Sequence, residues 1–263
     1  MRKLIGTLIV LFYLFQNSYA QLHSFEISTT DAANLSADIY GLLYLSSKNN
    51  LFKFNPQSKE CLIYSGKQSQ NFSAAEVSDP FKIIIYDKNF REFLFFDKQL
   101  KLLSNTKLQL PNDFFEEPLF VRNNQALYIF NTENRELYKY TLNFQFIEKY
   151  YLQELQSSQT VKLLAADNNL FFLSENRQIF IFNSEAVFIG SHSVSDFETG
   201  EVSNPVFIQI NNNIQEIQLR NPISKTCKTV KIHTSAESIK AAAVHKNSLF
   251  YISKHNLHKV NLN

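Results

Sequence analysis

A short pattern recurs along this chain at a nearly constant interval. Leu45-Ser46 leads through a polar turn to Leu51-Phe52-Lys53-Phe54-Asn55, and Leu173-Ser174 leads likewise to Ile179-Phe180-Ile181-Phe182-Asn183. Ile252-Ser253 leads to Leu257-His258-Lys259-Val260-Asn261 with a turn one residue shorter. Phe93-Leu94-Phe95-Phe96-Asp97 and Leu137-Tyr138-Lys139-Tyr140 occupy the same slot, and Ile214-Gln215-Glu216-Ile217 fits it more weakly. Aligned on Phe54, Phe96, Tyr140, Phe182, Ile217 and Val260, the steps are 42, 44, 42, 35 and 43 residues. A period of this size marks an architecture whose units cannot bury their apolar face alone and must stack on neighbours.

Within each unit, runs of about five residues rich in Leu, Ile, Phe, Tyr and Val are separated by Asn, Asp, Ser and Lys. Such runs read as short strands. Three or four of them per period describe a propeller blade. A helical solenoid would need apolar stripes of period 3.6 over ten or more residues, and none stands out. The expected fold is therefore all-β, a six-bladed β-propeller. The last unit contains strands over 241–244, 249–253 and 257–262 and then ends. A spare strand at 22–28 is expected to complete it, which closes the ring and removes an open sheet edge. The 35-residue step at Ile217 is the weakest point of the alignment.

The repeat begins only after residue 20. Arg2 and Lys3 precede an almost wholly apolar stretch at 4–15, and Ser18-Tyr19-Ala20 follows. This is the layout of a secretory signal peptide cut after Ala20. The stretch is short for a membrane span, which needs roughly 20 apolar residues. The domain organisation expected is thus a signal peptide at 1–20 and one propeller domain at 21–263, exported to the periplasm or beyond. Without Arg2 and Lys3 the chain carries 24 basic and 24 acidic residues. A neutral balance does not suggest a nucleic-acid binder, which usually shows a basic face. No later segment approaches spanning length.

Motifs that carry known chemistry are mostly absent. With no Trp and 5 Gly in the full chain, the Trp-ending turns of sialidase-like propellers are absent and glycine-rich phosphate loops are hard to build. There is no Asp-x-Asp-x-Asp-Gly calcium loop, no His-Glu-x-x-His zinc helix and no Gly-x-Ser-x-Gly elbow. The histidines are His23, His192, His233, His245, His255 and His258; the one close pair, His255 and His258, reads as surface rather than metal-binding. Cys61 and Cys227 fall in the outer strands of units one and five, too far apart to bridge, so no disulfide is expected. No catalytic residue, metal or cofactor is assigned, and the chain is read as not an enzyme.

A second repeat supplies the candidate site. Glu76-Val77-Ser78-Asp79-Pro80-Phe81 resembles Glu201-Val202-Ser203-Asn204-Pro205-Val206, 125 residues on, and Glu116-Glu117-Pro118 is a partial copy. Proline suits a strand start or an edge, which points to the innermost strand of a blade. Glu76, Asp79, Glu117 and Glu201 are then candidates to ring one mouth of the central channel. Phe114 and Phe115, adjacent aromatics in a polar loop, are candidate partner contacts because aromatics are enriched at interface hot spots.

These motifs carry a resemblance. The 42-residue unit is similar to bacterial six-bladed propellers, and the stretch 77–103, with Tyr86-Asp87-Lys88-Asn89-Phe90 and Phe96-Asp97-Lys98-Gln99-Leu100, resembles exported propeller proteins of the Bacteroidota. The periplasmic plug subunit of the type 9 secretion translocon is a candidate relative, from which no residues are carried over. The resemblance implies a non-catalytic protein-interaction module of the cell envelope, associated with an outer-membrane channel or secretion machinery. The alternative is a glycan- or small-molecule-binding, or hydrolytic, propeller with its site at the channel mouth.

Overall fold

Each apolar run ends in a residue whose side chain can replace a missing backbone partner. Asn55, Asp97 and Asn183 each turn a side-chain oxygen onto the backbone N–H two residues ahead, at 2.9 Å in all three cases. Such Asx turns stop a strand without another strand to pair with. Residues in the left-handed region follow, including Lys59, Leu100 and Ala186. The result, in a computed structural model, is a series of short antiparallel strands. The structure describes residues 23–26, 34–107, 118–123, 125–155, 160–199, 204–213, 215–232, 238–253 and 256–262.

The strands form six four-stranded sheets. Blade one comprises β2 (Asn34–Ala37), β3 (Leu43–Ser47), β4 (Asn50–Phe54) and β5 (Cys61–Ser65). Blade two comprises β6 (Phe72–Glu76), β7 (Ile83–Asp87), β8 (Glu92–Phe96) and β9 (Leu102–Thr106). Blade three comprises β10 (Leu119–Arg122), β11 (Ala126–Asn131), β12 (Glu136–Thr141) and β13 (Phe146–Tyr151). Blade four comprises β14 (Thr160–Ala166), β15 (Asn169–Ser174), β16 (Gln178–Asn183) and β17 (Phe188–Ser193). Blade six contains β22 (Ile239–His245), β23 (Ser248–Ser253) and β24 (Asn256–Asn261), and β1 (His23–Glu26) pairs antiparallel with β24 on its outer edge.

Burial follows position in the blade. The second strands β3, β7 and β11 are buried along their whole length, whereas the outer strands β5, β9 and β13 are mostly exposed. A strand sandwiched between neighbouring blades has no solvent face, so it reads as a continuous apolar run rather than an alternating one. The core is accordingly divided among the junctions between blades. Tyr128 and Phe130 of blade three pack with Phe172 and Phe182 of blade four. Leu43 and Leu45 of blade one pack with Phe250 and Ile252 of blade six, so the ring is closed through side chains.

Blade five departs from the expected register. It consists of β19 (Phe207–Asn211), β20 (Glu216–Asn221) and β21 (Thr226–Lys231), after which the chain passes to blade six. Its fourth member is β18 (Glu198–Thr199), a two-residue strand that precedes the blade and pairs parallel to β21. Ile217 therefore lies in a second strand, not in the third-strand slot. The slot belongs to Val230, which faces Ile217 as Phe54 faces Leu43 and Phe182 faces Leu170. Counted on Val230, the last two steps are 48 and 30 residues. The long step holds the inserted segment with β18, and the short one reflects the missing outer strand. Cys227 accordingly sits in a third strand.

Candidate functional site

In blades one to four, strand one runs along the channel to a turn, strand two returns, strand three repeats the first direction, and the outer strand returns again. The turns after strands one and three therefore meet at the same end of the ring. Leu142, in a turn after a third strand, lines one cavity with Ile39, Ser78, Asp79, Arg122 and Asp167, which follow or end first strands. That cavity, about 390 Å³, is one mouth of the channel.

The sequence-predicted residues distribute unevenly around it. Glu76 ends β6 and is buried, and Asp79 lies three residues on in the turn, half exposed. They are brought together by Arg122 at the end of β10, a residue sequence reasoning missed. Arg122 Nε lies 2.9 Å from Glu76 Oε2, and Nη1 lies 3.6 Å from Asp79 Oδ2. Nη1 also donates to the Lys82 carbonyl at 2.9 Å, and Nη2 to the Asp79 carbonyl at 3.4 Å. Ser78 N–H donates to Glu76 Oε1 at 2.8 Å, and Phe81 N–H to Asp79 Oδ1 at 2.9 Å. Burial pushes the Glu76 carboxyl up, and Arg122 and Ser78 pull it back. Lys82 crosses to the Leu142 carbonyl at 2.5 Å. This cluster pins the 77–82 turn of blade two to blade three. Glu76 is thus committed to an internal ion pair, while Asp79 and Asp167 are the acids that line the cavity.

Glu117, Glu201, Phe114 and Phe115 lie outside the described residues. The three Pro motifs are not equivalent, because Pro80 precedes a second strand whereas Pro118 and Pro205 precede first strands. His258 is another departure. It is buried, hydrogen-bonded to Ser253 Oγ at 2.9 Å and stacked on Tyr251 at 4.7 Å, because alternation on β24 turns it into the blade junction. Cys61 is exposed and Cys227 half-buried, each a free thiol.

The same end of the ring carries an apolar surface. Ile39, Tyr40 and Phe81, in turns after first strands, are 61%, 61% and 59% exposed. Leu62-Ile63, Leu102-Leu103, Phe146-Ile147 and Phe188-Ile189 stand exposed within the first three residues of the outer strands, which start at this end. Among the described residues, twelve of the sixteen exposed large apolar side chains lie here once Val187 is included. The four others, Phe90, Tyr151, Val161 and Ile223, lie toward the opposite end. The signal was legible as paired apolar residues after each third-strand turn, but it reads as core until the outer strand is known to be an edge.

Beyond the mouth, a channel cavity of about 300 Å³ is lined by all six first strands, with Ser36, Ala75, Leu119, Lys162, Ile208 and Ala242 among its residues. Among the described residues no His, Cys, Asp and Glu group is arranged to hold a metal ion, and no helix is long and apolar enough to cross a membrane.

No family model matches the chain, and no curated protein matches it. Solved structures do. A streptogramin B lyase aligns with a TM-score of 0.64 at 14% identity, covering 92% of this chain and 97% of that one. Virginiamycin B lyase from Staphylococcus aureus aligns at 0.60 and 9% identity, covering 92% and 99%. The WD40 repeats of RRP9 align at 0.62 and 9% identity, covering 94% and 98%. At such identities the likeness is one of fold, and it spans enzymes and repeat domains alike.

Proposed function

We propose that this chain is an exported, non-catalytic propeller that docks a protein partner in the cell envelope through the apolar end of its ring. The observation that carries this reading is the concentration of exposed Ile, Leu, Phe and Tyr at that end. Exposed apolar surface is costly in water, and its concentration at one end of the ring, repeated from blade to blade, favours an interaction face there. The neutral charge of the chain after residue 20 and the buried state of Glu76 favour an apolar partner surface over an acid-lined ligand site. The resemblance to exported Bacteroidota propellers favours an outer-membrane channel or secretion component as the partner.

Two experiments test the reading. The N-terminus of the protein recovered from the native envelope is expected at Gln21, read by mass spectrometry; retention of 1–20 contradicts export by cleavage. Affinity purification after mild crosslinking is expected to recover a stoichiometric envelope protein with the wild type and to lose it with I39D/F81D/F146D. A partnerless monomer in both cases contradicts the docking role.

A further inference from the structure

The channel interior is separate from the apolar end and has its own chemistry. Its wall is built from Ala74, Ala75, Leu119, Ile208 and Ala242, with Asn34 and Ser36 as neutral polar groups. Among the described residues lining this cavity, Lys162 carries the only charge. It stands on β14 just after a bulge that breaks the register between Thr160 and Lys162. A bulge re-aims a side chain locally. The ammonium donates to the Ile208 carbonyl of blade five, which uses one of its three N–H donors. Lys162 is an exposed residue whose side chain borders the channel space. Desolvation holds its pKa below the usual lysine range, and among the described residues no carboxylate pulls it back.

We infer that the channel holds a small organic carboxylate, with its anionic head on Lys162 and its apolar body against the alanine and leucine wall. An ammonium tethered beside an apolar wall favours an anion that restores neutrality and forms a charge-assisted hydrogen bond. One cation matches one negative charge. A phosphate, with nearly two charges, would need a second cation or a nest of backbone N–H groups, and the described lining residues include no second cation. The cavity of about 300 Å³ has room for a six- or seven-carbon acid. The inference does not rest on the docking role, which uses the turns and outer strands at one end of the ring.

Calorimetric titration with benzoate, hexanoate, benzyl alcohol and inorganic phosphate tests it, on the wild type and on Lys162→Met. One carboxylate at least is expected to bind at one per chain, with benzyl alcohol and phosphate weaker. K162M is expected to lose about tenfold or more in carboxylate affinity. Lys162→Gln, which keeps polarity without charge, should show the same loss, and both variants should retain the wild-type melting temperature. No binding by either carboxylate, equal binding by K162M, or tighter binding of phosphate overturns the inference.

Discussion

At both ends of the ring the turns are made by the same device, yet the surfaces they present differ. At the apolar end, Asp38 Oδ1 accepts from Tyr40 and Leu42 N–H, each at 2.9 Å. At the opposite end, Asp87 Oδ1 accepts from Asn71, Asn89 and Phe90 N–H at 3.1, 3.0 and 3.3 Å, and Asn131 and Asn221 act likewise. Folding therefore asks of a turn only an Asx acceptor and a residue tolerant of positive φ. It does not ask for Ile39, Tyr40 or Phe81, which stand in solvent. The apolar end is thus a surface property laid over a turn chemistry that serves equally well without it.

The largest expected effect breaks the buried part of the apolar end. Arg122→Met leaves Glu76 buried without its cation, and urea unfolding should show a loss of about 3–5 kcal/mol. Combining it with Glu76→Gln should recover much of that loss, since the uncompensated charge is then removed. A loss as large in the double variant contradicts the ion-pair account. The counterpart at the opposite end is smaller. Asp87→Ala strands three backbone donors and should cost about 1–3 kcal/mol in the same assay, while Asp87→Asn keeps the Oδ1 acceptor and should cost less.

Alkaline titration sharpens the account of the junctions between blades. Burial pushes the Tyr140 and Tyr251 hydroxyls up to about 12, against about 10 in an unfolded chain. A raised folded value means that their contribution to stability is complete below about pH 10 and is lost as pH rises toward about 12. Absorbance of the phenolate should show these two silent near pH 10, with unfolding setting in above it. Ionisation of every tyrosine near pH 10 in a folded chain contradicts their burial. The smallest effect is expected from the surface itself. Ile39→Asp and Phe81→Asp should leave stability within about 0.5 kcal/mol, because both side chains stand mostly in solvent.

The ring was legible in the sequence because second and third strands carry dense apolar runs around a tight turn, as in Phe93 to Phe96. Blade five was misread where that contrast fades. Ile217 is flanked by Glu216 and Gln218, and the true slot residue Val230 sits between Thr229 and Lys231, so two adjacent strands compete for one weak pattern. The mouth was half legible. Glu76 and Asp79 stood out through a repeated motif, but their partner Arg122 comes from the next blade and carries no local signal. Lys162 was invisible for a similar reason, since a lysine beside Val161 and Leu163 reads as an ordinary strand position until the bulge and the ring place it in the channel.

The claim that one end of the ring docks a partner is tested most directly by photocrosslinking in the native envelope. A photoreactive residue at Phe81 or Phe146 reports the apolar end, and one at Phe90 or Ile223 reports the opposite end. The account predicts a single crosslinked envelope protein from the first pair and none from the second. Crosslinks of equal yield from both pairs, or from Phe90 and Ile223 alone, would contradict it.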